Sequence, residues 1–143
     1  MIIGCDIGGV VKEMTSDKSI DNAIESIHYL EKLGFEIIFI SKCKKSFSEI
    51  LSEWLMANKL LNKVYFCEEY SEKCGLCKKL NVNYIIDDKL QVFREIPDNI
   101  KKIWFCDDIK KINGALKFQN DEASKVHICK DWNDIVKTIS NSM

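Results

Sequence analysis

The sequence has 143 residues, of which 46% are hydrophobic and 30% are charged, so it carries enough apolar material for a core and too much for a disordered chain. Its 21 basic and 22 acidic side chains nearly cancel, and the net charge of −1 provides no long-range field for nucleic acid or an anionic membrane. No apolar run approaches the roughly 20 residues that a helix needs to cross a bilayer.

The N-terminus and the cysteine content bear on the cellular setting. Met1 to Cys5 has no basic region before its apolar stretch and is followed at once by Asp6, so we expect no signal peptide. The seven cysteines are an odd number, which argues against a closed set of disulfides. We therefore expect a protein of the reducing cytoplasm.

The first elements alternate between strand and helix. Met1–Cys5 is a short apolar run, typical of a buried strand, and is followed by the loop that begins at Asp6. Apolar residues at helical spacing predict a helix over Ile20–Leu33, and Gly34 stands where a left-handed helix end is expected. Phe35–Ile40 then predicts a second strand.

The next helix and strand have equally clear signals. Ser46 and Glu49 have the spacing of a capping box and predict a helix start. The apolar residues that follow at helical spacing, which we expect to face the core, are Phe47, Ile50, Leu51, Trp54 and Leu55. Val64–Cys67 predicts a short third strand.

The second half of the sequence continues the alternation. The predicted elements are a helix at Cys74–Leu80, a strand at Tyr84–Ile86, a helix at Lys89–Ile96, strands at Ile103–Cys106 and Val126–Ile128, and a helix at Trp132–Ile139. Residues 109–125 follow no clear pattern. Alternating elements favour a parallel sheet covered on both faces. We therefore predict one α/β domain over residues 1–143, Rossmann-like and three-layered, with a mostly parallel sheet of five or six strands.

Polar side chains recur where the predicted strands end, at Asp6, Ser41, Asp87 and Asp88. Ligands bind at the carboxyl edge of an open parallel sheet, at the point where the strand order reverses. Taken singly, each of these residues is common in a loop or a helix cap. Their joint order predicts a functional site at that edge.

Four segments, in order over residues 2–88, resemble the motifs of the haloacid dehalogenase-like (HAD) phosphatase superfamily. Ile2–Val11 resembles the first motif, an apolar strand followed by an aspartate, two residues, a glycine and Val or Thr. Ile37–Ser41 resembles the second, a strand that ends in Ser or Thr. Lys73 resembles the lysine of the third motif, and Tyr84–Asp88 resembles the fourth, a strand that ends in paired acids. The resemblance implies a HAD-like fold.

The resemblance also implies a phosphohydrolase that works through an aspartyl-phosphate on Asp6. A carboxylate attacks a phosphate only if their mutual repulsion is screened, and Mg²⁺ would provide that screening. Since Mg²⁺ prefers oxygen ligands, the implied set is Asp6, Asp87 or Asp88, the backbone carbonyl of Gly8, and waters.

Other groups would surround the phosphate in such a site. Ser41 would hydrogen-bond a phosphoryl oxygen, and Lys73 would offset negative charge on the nucleophile and the transferring group. The backbone amides of Gly8 and Gly9 would cradle phosphate oxygens, and Lys42 would face the phosphate.

The sequence departs from the family at Gly8. Many HAD phosphatases carry a second aspartate at this position, which protonates the leaving oxygen and then activates water. General acid–base catalysis is typically worth about 10²–10⁴-fold, so we expect slow turnover, reliance on a good leaving group, or a substrate that supplies its own acid. The alternative is a catalytically impaired HAD-like protein that binds a phosphorylated ligand or partner.

The spacing of the motifs leaves no room for the cap domain that many HAD enzymes insert. Asp6 to Ser41 accommodates one helix and a loop, and Ser41 to Lys73 accommodates a helix and a short strand. Capless relatives often act on macromolecules or borrow a lid from a neighbouring subunit in an oligomer. By this resemblance the phosphorylated substrate is expected to be macromolecular, although the neutral charge gives no support for a nucleic-acid end.

Several residues compete for these roles. Lys78 and Lys79 also precede the fourth strand, but Lys73 lies nearer the start of the predicted helix and is preferred. The pair Asp107–Asp108 also follows an apolar run; we expect it in a surface loop, because the family places its fourth strand beside the first and its fifth one place further out.

The cysteines support a third hypothesis. Cys74 and Cys77 form a CxxC, which is half of a tetrahedral zinc site. Cys43 and Cys67 end the second and third predicted strands and would complete such a set if they lay nearby. This arrangement would make the protein a small metal- or redox-active cysteine protein built on the same sheet.

Overall fold

Six strands form one sheet in the computed structural model, which describes all 143 residues. The strands are β1 (Ile2–Cys5), β2 (Glu36–Lys42), β3 (Val64–Cys67), β4 (Tyr84–Asp87), β5 (Lys101–Phe105) and β6 (His127–Cys129). All five pairings are parallel, in the order β3-β2-β1-β4-β5-β6. The order reverses at β1, so the carboxyl ends of β1, β2 and β4 form the switch-point crevice of the sheet.

Helices cover both faces of the sheet. They are α1 (Ala23–Lys32), α2 (Lys45–Ala57), α3 (Tyr70–Lys79), α4 (Ile109–Phe118), α5 (Asn120–Ala123), α6 (Trp132–Asn141) and a 3-10 helix, Leu90–Glu95. One hydrophobic cluster joins α1, α2 and α6 to one face, and a second joins α3, the 3-10 helix, α4 and α5 to the other. The predicted three-layer α/β fold is confirmed. None of the helices has the length and apolarity needed to span a membrane.

Strand β2 shows why the sheet needs both layers. Ile37 and Phe39 pack in the first cluster, while Ile38 and Ile40 pack in the second. Because successive side chains of a strand point to opposite faces, a continuous apolar run must be covered on both sides. After this apolar run, Ser41 and Lys42 bring polar side chains to the carboxyl end of β2, at the crevice.

Two helix starts differ from the sequence prediction. Helix α1 begins at Ala23 rather than Ile20, because Asn22 takes a left-handed conformation (φ 63°) that breaks the helix. Helix α2 begins at Lys45 without a side-chain cap, so Ser46 and Glu49 form no capping box. The structure has its capping box at Glu69 and Glu72, at the start of α3.

The remaining elements also refine the prediction. Helix α3 begins at Tyr70 rather than Cys74, which places Lys73 inside its first turn. The predicted helix over Lys89–Ile96 is a 3-10 helix, and the stretch 109–125 contains α4 and α5. The Asp108 carboxylate accepts hydrogen bonds from the first backbone N–H groups of α4 and so acts as its N-cap.

Candidate active site

A buried lysine joins two aspartates at the centre of the crevice. The Lys73 Nζ lies 2.6 Å from Asp87 Oδ2 and 3.2 Å from Asp6 Oδ1, and Lys73 is only 1% exposed. Strand register brings the two acids together. Cys5 of β1 pairs with Ile86 of β4, so Asp6 and Asp87, the next residue along each chain segment, lie side by side. Lys73 reaches them from α3 across the carboxyl edge.

Burial and charge act in opposite directions on these groups. Burial and the Asp87 carboxylate raise the pKa of Asp6 well above its usual range, against the opposing Lys73 ammonium. Burial likewise raises the pKa of Asp87. Burial lowers the pKa of Lys73, but the two carboxylates outweigh it and hold that pKa above its ordinary value. Lys73 therefore stays an ammonium between two acids that burial makes harder to ionise.

Asp88 extends this pair into a cluster of three carboxylates. Oxygen atoms of Asp6, Asp87 and Asp88 all lie within 4.8 Å of one another. Asp88 Oδ2 is 2.9 Å from Lys89 Nζ, so three carboxylates share two ammonium groups. The donors are oxygens, and when all three acids are ionised they outnumber the ammonium groups by one; both properties fit Mg²⁺.

Several polar groups of the crevice have no partner within the chain. Asp6 Oδ2 accepts no hydrogen bond, and neither the Ser41 hydroxyl nor the backbone N–H of Ile7 or Gly8 is engaged. The Gly9 N–H donates to the Lys12 carbonyl at 2.8 Å, so the Gly8 amide is free to meet an anion and the Gly9 amide is not.

These groups open into a cleft of about 550 Å³. Its floor includes Asp6, Ser41 and Lys73. One wall is the loop between β1 and α1, and the other is the start of α2; the residues they contribute are Gly8, Lys12, Met14, Thr15, Ser16, Asp17, Phe47, Ile50 and Leu51. Trp54 holds the loop against α2, since its Nε1 donates to the Asp17 carbonyl at 2.8 Å.

The two glycines of the loop have different constraints. A Cβ at Gly8 would lie 3.1 Å from the Met14 Sδ and close to nothing else. Gly9 has a φ of +82°, and a Cβ there would overlap the Asp88 carboxylate. Gly9 therefore permits the loop to approach Asp88, whereas a side chain at Gly8 would meet only the exposed, flexible end of Met14.

The competing candidates lie elsewhere. Lys78 and Lys79 are exposed and contact neither Asp6 nor Asp87. Asp107 and Asp108 are exposed beyond β5, as expected for that pair. Lys42 lines the cleft and lies over the Tyr70 ring, 4.7 Å from its centroid.

The cysteines do not form a metal site. All seven are free thiols, and the acidic cluster is the only set of potential ligands that lies close enough to hold an ion. Burial raises the pKa of Cys77 to about 12, so its thiol is a poor nucleophile. The structure thus lacks the tetrahedral set that the zinc hypothesis requires.

Sequence reasoning missed the cleft walls. Phe47 and Ile50 are each 53% exposed and line the cleft, although their periodicity predicts core positions. Met14 and Lys89 carried no pattern that would single them out. The proximity of Lys89 to Asp88 in sequence was the one available signal for its ion pair.

Replacing Lys73 with methionine should destabilise the fold. The change leaves two buried carboxylates without their cation, and we expect the free energy of unfolding at neutral pH to fall by about 3–5 kcal/mol in urea denaturation. Part of the lost stability should return as the pH is lowered. Burial raises the pKa values of Asp6 and Asp87 in the folded variant, so the folded form takes up protons at a higher pH than the unfolded chain does. The control Lys78→Met, on the same helix, should change little; equal losses would contradict this account.

The two loop glycines should differ in tolerance. Gly8→Ala should alter the free energy of unfolding by less than about 1 kcal/mol, because the exposed Met14 side chain can move aside. Gly9→Ala should cost about 2 kcal/mol or more, through its left-handed backbone and the displaced Asp88 carboxylate. Thermal and urea unfolding of both variants measure the difference, and similar costs would show that the loop is not held as described.

Comparison with known proteins rests on structure alone, since no protein-family model and no curated protein matches the sequence. The D,D-heptose 1,7-bisphosphate phosphatase from Burkholderia thailandensis superposes with a TM-score of 0.64 at 9% identity, covering 96% of this chain and 97% of that one. A protein from Vibrio cholerae assigned as a 3-deoxy-D-manno-octulosonate 8-phosphate phosphatase gives 0.58 at 14% identity, covering 99% and 86%.

A HAD-superfamily hydrolase from Ehrlichia chaffeensis gives a TM-score of 0.59 at 14% identity, covering 93% of this chain and 64% of that one. At identities this low, the structural likeness establishes the fold of the chain and nothing beyond it. The protein therefore has the HAD-like fold, in a form without a cap domain.

Proposed function

We propose that the protein is a Mg²⁺-dependent phosphohydrolase in which Asp6 attacks the phosphorus of a phosphate ester. One observation carries the proposal: Lys73 fixes one oxygen of Asp6 at 3.2 Å while the other oxygen is unpartnered beside an open cleft. A buried structural ion pair would have no reason to leave a carboxylate oxygen facing solvent. The phosphatases among its structural neighbours have the same fold.

The chain supplies four groups for the transfer. Asp6 Oδ2 approaches phosphorus in line with the leaving oxygen, and Lys73 offsets the charge that gathers on the transferring group. The Ser41 hydroxyl and the free Gly8 N–H donate hydrogen bonds to phosphoryl oxygens. Positioning and charge stabilisation of this kind account for most of the catalysis of phosphoryl transfer.

Asp6 and Asp88 are the main expected ligands of Mg²⁺, together with Asp87 and the Gly8 carbonyl. Asp87 accepts bonds on both oxygens, from Lys73 Nζ at 2.6 Å and from the Lys89 N–H at 3.0 Å, and each oxygen keeps a second lone pair. When bound, the ion would screen the repulsion between the Asp6 carboxylate and the phosphate.

The absence of a side chain at Gly8 leads us to expect slow turnover. It offers no group to protonate the leaving oxygen or to activate the water that releases phosphate from Asp6. A site without general acid–base catalysis loses about 10²–10⁴-fold in rate. Hydrolysis of the aspartyl-phosphate is then expected to limit the cycle.

The lack of an acid–base group at Gly8 also favours a second candidate function. Gly8 carries no acidic side chain and the group nearest its open side is the Met14 sulfur, 3.1 Å from where a Cβ would lie, as expected in a protein that holds a phosphorylated ligand without cleaving it. Such a protein would bind Mg²⁺ and a phosphate ester and release the ester unchanged.

The substrate of the proposed reaction is a phosphorylated molecule. A cleft of about 550 Å³ lies within the usual range of small-ligand sites and would also admit one phosphorylated side chain of a macromolecule. The neighbours named above as phosphatases act on sugar phosphates, which supports a small substrate.

Hydrolysis of 4-nitrophenyl phosphate tests the nucleophile. The protein should release nitrophenol with Mg²⁺ and stop when a chelator is added. Asp6→Asn should abolish release, and Asp107→Asn, a change at an exposed carboxylate two residues beyond strand β5, should leave it intact. Binding of Mg²⁺ and the ester without any release would favour the second candidate.

Mg²⁺ binding tests the acidic cluster independently of turnover. Titration calorimetry should show one site, with the affinity lowered about tenfold or more in Asp88→Asn and unchanged in Asp107→Asn. If both variants bind Mg²⁺ like the parent protein, the cluster is not the metal site.

A further inference from the structure

The cleft combines a charged floor with an apolar rim. Its floor holds Asp6, Ser41 and Lys73, where a phosphate would bind. The rest of the lining includes Met14 of the loop and, from the start of α2, Phe47 and Ile50. Met14 is 64% exposed, and Phe47 and Ile50 are 53% exposed each. An aromatic ring and two large aliphatic chains held half in water gain stability if a ligand covers them.

The cleft lining contains no histidine or glutamate, and its only carboxyl group outside the acidic cluster is that of Asp17; Lys42 lies over the Tyr70 ring. The Met14 thioether has no acidic hydrogen, and it lies 3.1 Å from where a side chain at Gly8 would begin. Lys12 Nζ is directed to the Glu13 carbonyl at 2.9 Å, and Lys89 Nζ is paired with Asp88. Asp17 remains as an exposed carboxylate on the rim, and it makes no side-chain hydrogen bond.

The apolar rim and the lack of a positioned acid each restrict the leaving group. It must depart without protonation, which favours the anion of a fairly strong acid, and it must present an apolar surface to the rim. A phenol satisfies both conditions, because its pKa of about 10 is far below that of an alcohol and its ring is flat and apolar.

Building on the proposed function, we propose that the substrates are aryl phosphates, with the phenyl ring packed between Met14 and Phe47 above the phosphate. The bond from phosphorus to Asp6 Oδ2 forms as the bond from phosphorus to the phenolic oxygen breaks. The phenolate leaves with that electron pair and takes a proton from solvent. Water then attacks phosphorus, breaks its bond to Asp6, and yields inorganic phosphate and the free carboxylate.

Three phosphates separate leaving-group acidity from ring contact. Phenyl and cyclohexyl phosphate have rings of similar size but differ in leaving-group acidity, and acetyl phosphate has a good leaving group without a ring. We expect kcat/KM for phenyl phosphate to exceed that for cyclohexyl phosphate by about 10²-fold or more. Acetate is the better leaving group of the two, so ring contact is read from KM instead: the KM for phenyl phosphate should be about tenfold below that for acetyl phosphate.

The possible outcomes separate this inference from the function on which it rests. Similar kcat/KM values for phenyl and cyclohexyl phosphate would overturn the aryl preference and leave the phosphohydrolase standing. Stability of all three compounds in the presence of Mg²⁺ would overturn both.

Phe47→Ala tests the ring contact without any turnover. The affinity for phenylphosphonate, measured by calorimetry with Mg²⁺, should fall about tenfold, while the affinity for methylphosphonate should not change. Phe118→Ala is the matched control, because Phe118 is 78% exposed and lies outside the cleft. Equal phenylphosphonate affinity in the parent and Phe47→Ala proteins would overturn the proposed ring position.

Two further variants test the missing acid. Gly8→Asp combined with Met14→Ala, which clears space for the new carboxyl, should raise the cyclohexyl phosphate rate by more than the phenyl phosphate rate. Asp17→Asn should leave the ratio of the two rates unchanged. A selective loss of cyclohexyl phosphate hydrolysis in Asp17→Asn would show that Asp17 protonates the leaving group and would overturn the inference.

An aryl phosphate can be a free metabolite or a phosphotyrosine side chain of a protein. Free phosphotyrosine and a phosphotyrosine peptide distinguish these sources. We expect kcat/KM for the two to agree within a few-fold, because the cleft contacts a single ring; similar rates for phosphoserine and phosphotyrosine would overturn the aryl preference itself.

Discussion

The architecture of the crevice depends on one ammonium group shared by two buried carboxylates. Lys73 reaches Asp6 and Asp87 at 3.2 and 2.6 Å, where the central strands β1 and β4 end side by side. A lone buried charge is costly, and here each charge is held by its partners. The arrangement orients Asp6 with one oxygen bound and one oxygen open to the cleft. It also leaves a negative excess that Mg²⁺ can neutralise. Stability and the proposed chemistry therefore draw on the same contacts, and Lys73 serves both.

The loop after β1 determines what this centre can do. Gly9 allows the backbone to pass Asp88, and Gly8 provides a free amide in place of an acidic side chain. The same loop carries Met14, whose sulfur lies 3.1 Å from where a Cβ at Gly8 would be and which lines the cleft together with the exposed Phe47 of α2. The absence of an acidic side chain at Gly8 and the apolar rim belong to the same cleft. Both features support the proposed leaving group, which departs unaided and presents an apolar surface.

The sequence predicted the sheet and the polar strand ends because each depends on short-range patterns. Buried parallel strands read as apolar runs, and parallel topology brings their ends to one edge, so Asp6, Ser41 and Asp87 could be expected to meet. The cleft walls could not be predicted in this way. An apolar stripe on a helix does not reveal whether it faces a sheet or a cleft. The pattern therefore predicts a core position for Phe47, although the residue lines the cleft. The N-cap of α3 is Glu69, and because glutamate is not among the usual N-cap residues, the start of that helix carries a weak signal in the sequence.

The central claim, that Asp6 receives the phosphoryl group, is tested most directly by trapping the phosphoenzyme. Mixing the protein with phenyl phosphate and Mg²⁺, quenching in acid and mapping the peptides by mass spectrometry would locate any added phosphoryl group. Because Gly8 supplies no base for the second step, the aspartyl-phosphate should accumulate on Asp6 within the first turnover and decay more slowly than it forms. Phenol release with no phosphoryl group on Asp6, or with the group on another residue, would contradict the account.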